Sequence, residues 1–208
     1  MQLSICILQT DIISQSMAQR FGQYPAMIHT LLANSLATKP YNNLEFDHQS
    51  YSVIKGEFPN DKDVFDAYFI TGSRHSAYES LAWISALEAL IRRLHQQQQT
   101  IIGLCFGHQI IAQALGGKVE KFSGGWSVGL KEYKWGNESI RLNAWHQDQV
   151  VKNPKKAKVL AENSFCKYAV LSYGDNILTT QPHPEFTHEV IKGPVSYTHL
   201  TLPTNREV

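Results

Sequence analysis

The apolar run Ile101-Ile102-Gly103-Leu104 passes without a break into Cys105-Phe106-Gly107, and helical spacing then runs from His108 to Leu115, closed by Gly116-Gly117. A short apolar run before a helix reads as a buried strand, and the glycine pair reads as a helix C-terminus. A strand that gives way to a helix within three residues allows only a tight turn, with Cys105 near its apex. Glycine stands two residues to either side, at 103 and 107. The pattern matches the elbow G-x-S-x-G with cysteine in the serine position. Side chains at the two glycines would collide with the neighbouring strand and helix. The N-terminal N–H groups of the following helix point at the sulfur and favour its thiolate. The alternative is a small core cysteine at a strand end.

The rest of the chain repeats this alternation. Leu3 to Leu8 reads as a buried strand and Glu45 to Ile54 as a second. Phe65 to Ile70 is a third, ending in Thr71-Gly72-Ser73. Pro25 opens a helix with Met27, Ile28, Leu31, Leu32 and Leu36 on one face. Ala82 to Gln98 is a second helix, with Trp83, Leu87, Leu90, Ile91 and Leu94 on one stripe. Strands alternating with helices imply an α/β fold with a largely parallel sheet. After Gly117 the pattern changes to short alternating segments: Val128 to Trp135, Ser139 to Trp145, Lys158 to Ala161, Ala169 to Tyr173 and Ile177 to Gln181. These read as antiparallel strands and hairpins.

Composition sets the outer bounds. The chain has 208 residues, 43% hydrophobic and 18% charged, which is ordinary globular composition for about one domain. Nineteen basic and eighteen acidic residues give a net charge of +1, without the footprint of a nucleic-acid binder. No segment approaches the roughly 18 apolar residues of a membrane span, and MQLSICILQTD lacks the charged start of a signal peptide. Three cysteines at wide spacing, Cys6, Cys105 and Cys166, form neither a disulfide framework nor a zinc site. Free thiols fit a reducing cytoplasm, and Cys6 and Cys166 read as core thiols.

A nucleophilic thiolate needs a base, and the base needs an orienting group. Gln181-Pro182-His183-Pro184-Glu185 supplies both at the end of the last strand. In an extended backbone Glu185 leaves on the same side as His183, where its carboxylate can accept the imidazole N–H. The alternative is a loop cap.

With these motifs in this order, G-L-C-F-G-H-Q and then Q-P-H-P-E, the sequence resembles the class I (triad) glutamine amidotransferase family. The resemblance extends to the opening strand, F-I-T-G-S, W-H-Q-D-Q-V and A-V-L-S-Y-G-D-N-I-L-T-T-Q, and covers roughly Leu3 to Phe186. It looks most like the free-standing GMP-synthase-like members and the related γ-glutamyl peptidases. It implies a flavodoxin-like sheet flanked by helices and hydrolysis of the γ-carboxamide of glutamine through a γ-glutamyl thioester. A γ-glutamyl peptide or amide is the alternative substrate. Cys105 would be nucleophile, His183 base and then acid, and Glu185 its orienting carboxylate. The N–H of Phe106 and the Gly72-Ser73 turn would form the oxyanion hole. Gln109 would lie near the bound glutamine, with Ser127, Val128 and His146 as further pocket residues, and Asp148 beside them. The resemblance implies no cofactor and no metal. It implies a synthetase or acceptor partner, since the sequence shows no phosphate-binding G-x-x-x-x-G-K-[ST] loop.

Two rival readings remain at this level. One is an amidotransferase-like subunit that binds without turnover, against which the intact Cys, His and Glu set speaks. The other is an α/β-hydrolase, in which the acid precedes the histidine, whereas Glu185 follows it. His183 and His188 are poorly spaced for a metal. Lys152, Lys155, Lys156 and Lys158 read as a solvated turn. Residues 1–194 form one expected domain. The segment VSYTHLTLPTNREV, 195–208, resembles translated sequencing-adapter read-through, so the natural chain is expected to differ beyond Pro194.

Overall fold

The computed structural model describes residues 2–37, 40, 41, 43–187 and 190. Strand β1 (Gln2–Gln9) is apolar on both faces. Cys6 and Leu8 enter one core, and Ile5 and Ile7 the other, all of them buried. That two-sided burial is the signature of an interior strand in a parallel sheet. It pairs in parallel with β2 (Glu45–Ser52) and with β3 (Ala67–Ile70). Strand β4 (Ile101–Leu104) lies parallel between β3 and β11 (Ile177–Thr180).

Helices cover both faces. Ile28 and Leu32 of α2 (Tyr24–Leu36) pack on Ile5, Ile7, Phe69 and Leu104. Pro25 lies in the first turn of α2, where its missing N–H has no intrahelical partner to lose. On the other face, α3 (Ala82–Gln96) and α4 (Phe106–Ala114) bring Leu87, Ile91, Ile110 and Ile111 against Leu8, Tyr68, Ile70 and Ile101. The buried stripe of α3 is Ile84, Leu87, Leu90, Ile91 and Leu94. Trp83, expected on that stripe, sits at its flank against the rings of His75 and Phe106.

Beyond β11 the same sheet continues antiparallel through β10 (Val170–Tyr173), β9 (Ala157–Glu162), β6 (Ser127–Trp135) and β7 (Glu138–His146). The result is one nine-stranded sheet in the order β2-β1-β3-β4-β11-β10-β9-β6-β7. The expected α/β architecture holds, and the hairpin region extends the sheet rather than forming a separate layer. Strands β5 (Lys118–Lys121) and β8 (Asp148–Lys152) pair apart from it. Neither was legible in the sequence, nor was α1 (Gln15–Phe21), which buries no side chain and so has no apolar stripe. The Lys152, Lys155, Lys156 and Lys158 run is exposed, as expected. The segment 195–208 and His188 lie outside the described residues.

Because β1, β3, β4 and β11 run parallel, their C-terminal ends share one edge of the sheet. Thr10, Thr71, Cys105 and Gln181 directly follow those four strands, with Gly72 next after Thr71. Open α/β sheets bind ligands along that edge.

Candidate active site

Cys105 has φ +51° and ψ −99°. Positive φ in a residue with a side chain is sparsely populated and costs on the order of 1–3 kcal/mol. Three backbone bonds hold it. The Cys105 N–H donates to Thr180 O (2.8 Å), the Gln109 N–H to Cys105 O (3.1 Å) and the Gly107 N–H to Thr71 O (3.1 Å). Both elbow glycines are required by contact. A Cβ on Gly103 would lie 2.6 Å from Ile111 Cδ1 and 2.7 Å from the Gly107 carbonyl, and one on Gly107 would overlap the carbonyl oxygen of Ile70. Cys105 is 6% exposed.

His183 enters this edge just past β11. Its N–H donates to Asn143 O on β7 (2.8 Å), while Asn143 Nδ2 donates to Phe186 O (2.8 Å). Between them the chain turns, with the Phe186 N–H on His183 O at 3.3 Å. This corrects the expectation of an extended segment: a turn brings Glu185 Oε1 to 2.7 Å from His183 Nδ1. Both side chains are buried. Phe186 stacks flat on the imidazole at 4.0 Å between centroids, and the Tyr24 ring stacks on Phe186 at 6.4 Å. Burial opposes a charged His183, but the Glu185 carboxylate and then the Cys105 thiolate outweigh it and raise its pKa to about 10. An imidazolium is therefore the favoured form beside the sulfur.

The β3 turn closes the other side. Thr10 Oγ1 donates to Thr71 O and Gly72 O (3.1 and 2.8 Å), and Ser73 Oγ donates to Thr10 O (2.8 Å). A Cβ on Gly72 would stand 3.1 Å from His183 Cε1 and 3.3 Å from the Tyr24 hydroxyl. The N–H groups of Gly72, Ser73 and Phe106 donate to no acceptor among the described residues. Phe106 opens α4, where an N–H has no intrahelical partner.

The other expected pocket residues fall on the remaining side. Ser127 pairs with His146, and Val128 with Trp145, across β6 and β7. The Trp145 carbonyl is 4.0 Å from Cys105 Sγ. His146 is buried. Burial, and then the charge of His183, push its pKa down to about 4. Asp148 accepts from the exposed Tyr78 hydroxyl at 3.3 Å. Gln109 is buried, and its amide nitrogen is committed to Asp148 O (2.9 Å) and Gln181 Oε1 (3.1 Å). Cys6 and Cys166 are buried free thiols, each pushed up to about 12 mainly by burial. No group of three or more His, Cys, Asp or Glu among the described residues is placed to hold a metal. No helix among them is long and apolar enough to cross a membrane.

Four contributors went unread in the sequence: Asn143, Phe186, Tyr24 and the Thr10–Thr71 pair. Asn143, Tyr24 and the Thr10–Thr71 pair act across the fold from elements distant in the sequence from His183, while Phe186, three residues after His183, is brought onto the ring by a turn that no local motif marks.

The model of the family described as "Glutamine amidotransferase class-I" matches residues 26–196. Gamma-glutamyl peptidase 4 of Arabidopsis thaliana is 35% identical over 158 residues, covering 68% of this chain and 63% of its own. A protein of Schizosaccharomyces pombe described as glutamine amidotransferase-like is 30% identical over 207 residues, covering 92% of this chain and 82% of its own. The chain spans just under two thirds of the length of several of the γ-glutamyl peptidases it matches. In fold, it resembles the crystal structures of a glutamine amidotransferase from Thermotoga maritima and of one from Methylobacillus flagellatus. The first has a TM-score of 0.70 at 18% identity, over 92% of this chain and 80% of that one. The second has a TM-score of 0.73 at 20% identity, over 94% and 76%.

Proposed function

This chain belongs to the class I glutamine amidotransferase family, and on that premise we propose that it hydrolyses γ-glutamyl amide bonds with Cys105, His183 and Glu185 as its triad. The observation that carries the proposal is the arrangement around His183. Glu185 holds Nδ1 at 2.7 Å, Phe186 fixes the ring plane, and Cys105 lies on the strained elbow beside it.

The thiolate of Cys105 attacks the γ-carbonyl carbon. The carbonyl π electrons move onto oxygen, and the N–H groups of Phe106 and of the Gly72-Ser73 turn, which have no acceptor among the described residues, receive that charge. The imidazolium of His183 gives its proton to the departing nitrogen, the C–N bond breaks, and a γ-glutamyl thioester remains. Neutral His183 then takes a proton from water as the water oxygen attacks the thioester carbon. The C–S bond breaks, releasing glutamate and regenerating the thiolate and imidazolium. Glu185 keeps the ring oriented and offsets its charge throughout.

Glutamine and a γ-glutamyl peptide share this acyl half and differ only in the leaving group, ammonia or an amine. The relatives named gamma-glutamyl peptidase, 32–35% identical, favour the peptide. Release of ammonia from glutamine to a synthetase or acceptor partner is the second reading, suggested by the family's name.

The test is glutamate release from glutamine and, separately, from a γ-glutamyl dipeptide, each beside Cys105→Ala. Release that disappears in the variant supports the thiol mechanism, and the faster substrate identifies the leaving group. Release that survives in Cys105→Ala refutes it.

A further inference from the structure

Gln181 precedes the His183 turn and is wholly buried. Its Nε2 lies 3.5 Å from Cys105 Sγ, and its Oε1 accepts from Gln109 Nε2 at 3.1 Å. An amide side chain is nearly symmetric in shape, so which end faces the sulfur depends on its partners. Here the partners decide it. The Asp148 carbonyl can only accept, and it takes one N–H of Gln109 at 2.9 Å. That places the Gln109 nitrogen, rather than its oxygen, toward Gln181. Gln181 must answer with its oxygen, which leaves its own N–H groups toward the sulfur.

We propose that Gln181 is a catalytic residue that donates an N–H to the Cys105 thiolate, and that Gln109 and the Asp148 carbonyl are positioning groups that set its orientation. The proposal rests on Cys105 being the nucleophile. A donor at the sulfur favours the thiolate over the thiol. It serves the attacking sulfur and serves it again as leaving group when the thioester is hydrolysed. The Trp145 carbonyl, 4.0 Å away on the β7 side, suits the protonated thiol instead. Gln109 thereby acts on the sulfur through Gln181, over and above any contact with substrate.

The experiment is the pH dependence of Cys105 alkylation by iodoacetamide, read on the Cys105 peptide by mass spectrometry. Gln181→Glu keeps an oxygen for Gln109 and replaces the N–H at the sulfur by a carboxylate oxygen. Gln109→Met releases Gln181 without touching the sulfur. The other titratable groups whose charges couple to the sulfur, His183, Tyr24, Tyr133 and Cys166, are the same in both variants, as is Glu185 behind His183.

Gln181→Glu is expected to raise the apparent thiol pKa by about one unit or more, which slows alkylation about tenfold below that pKa. Gln109→Met is expected to shift it in the same direction by less. A folded Gln181→Glu protein with the wild-type alkylation profile overturns the proposal. If that variant does not fold, an unchanged profile in Gln109→Met overturns it. Alkylation needs no substrate, so the result stands whichever way the glutamate-release test falls.

Discussion

Phe186 lies parallel to the His183 imidazole, with ring centroids 4.0 Å apart and planes within 2°. The stack leaves the ring one plane to occupy, and Glu185 at Nδ1 fixes its rotation within that plane. Phe186→Ala removes the plane and keeps the backbone carbonyl that Asn143 holds. It is expected to lower kcat more than it changes KM, because reorientation of a general base acts on the transition state. Phe186→Tyr is expected to restore most of the loss. Steady-state kinetics on a γ-glutamyl dipeptide decide this, and an unchanged kcat in Phe186→Ala would count against the role.

Glu185→Gln preserves shape and removes the charge that holds the His183 proton. Proton transfer by a positioned group contributes about 10²–10⁴ in rate, and a loss in that range is expected. Stability follows the same charge. The folded-state pKa of His183, about 10, lies above its ordinary value of 6.5. Its contribution is therefore fully present below pH 6.5 and is lost as pH rises through about 10. The stability gap between wild type and Glu185→Gln should narrow over that window, measured by urea unfolding at a series of pH values. A gap independent of pH would exclude the charge coupling.

The elbow was readable because its residue spacing is local: one strand, one turn and one helix, with glycine at 103 and 107 around Cys105. The contacts that complete it were not, since Ile70 and Thr71 at the end of β3 and Thr180 on β11 supply them. His183 and Glu185 were readable as a pair, although the turn that joins them was not, because Phe186 O and Asn143 set that turn from β7. The parallel strands were legible from their apolar runs. Strands β5 and β8 were not, since β5 buries only Val119. Gln109 was read as a residue beside bound glutamine, whereas its amide nitrogen is held by Asp148 and Gln181. Those two partners meet it only when separate elements assemble.

Gly107→Ala places a methyl group into the Ile70 carbonyl, and Gly103→Ala into the Gly107 carbonyl and Ile111. Backbone cannot yield as a flexible side chain does, and overpacking costs about 1–3 kcal/mol or more. Both variants are expected to have lower urea midpoints than wild type. Gly116→Ala is the control in open space, where only the strain of its φ of +92° applies. Elbow variants as stable as wild type would contradict the packing described.

His146 should govern part of the acid sensitivity. Burial first, and the charge of His183 second, hold it down to about 4 against an ordinary 6.5. The unfolded chain takes up a proton that the folded chain refuses, so this stability is present above pH 6.5 and lost as pH falls toward 4. His146→Gln is expected to show a smaller fall in melting temperature between pH 7 and pH 4.5 than wild type. Equal falls would mean that His146 does not carry the effect.

The most direct measurement is to quench the reaction with a γ-glutamyl dipeptide in acid during turnover and map the modified peptide by mass spectrometry. A γ-glutamyl group on Cys105, absent from Cys105→Ala and accumulating in Glu185→Gln if deacylation slows more than acylation, is the expected result. Hydrolysis that proceeds in Cys105→Ala at the wild-type rate, with no acyl group on any cysteine, would contradict a thioester pathway.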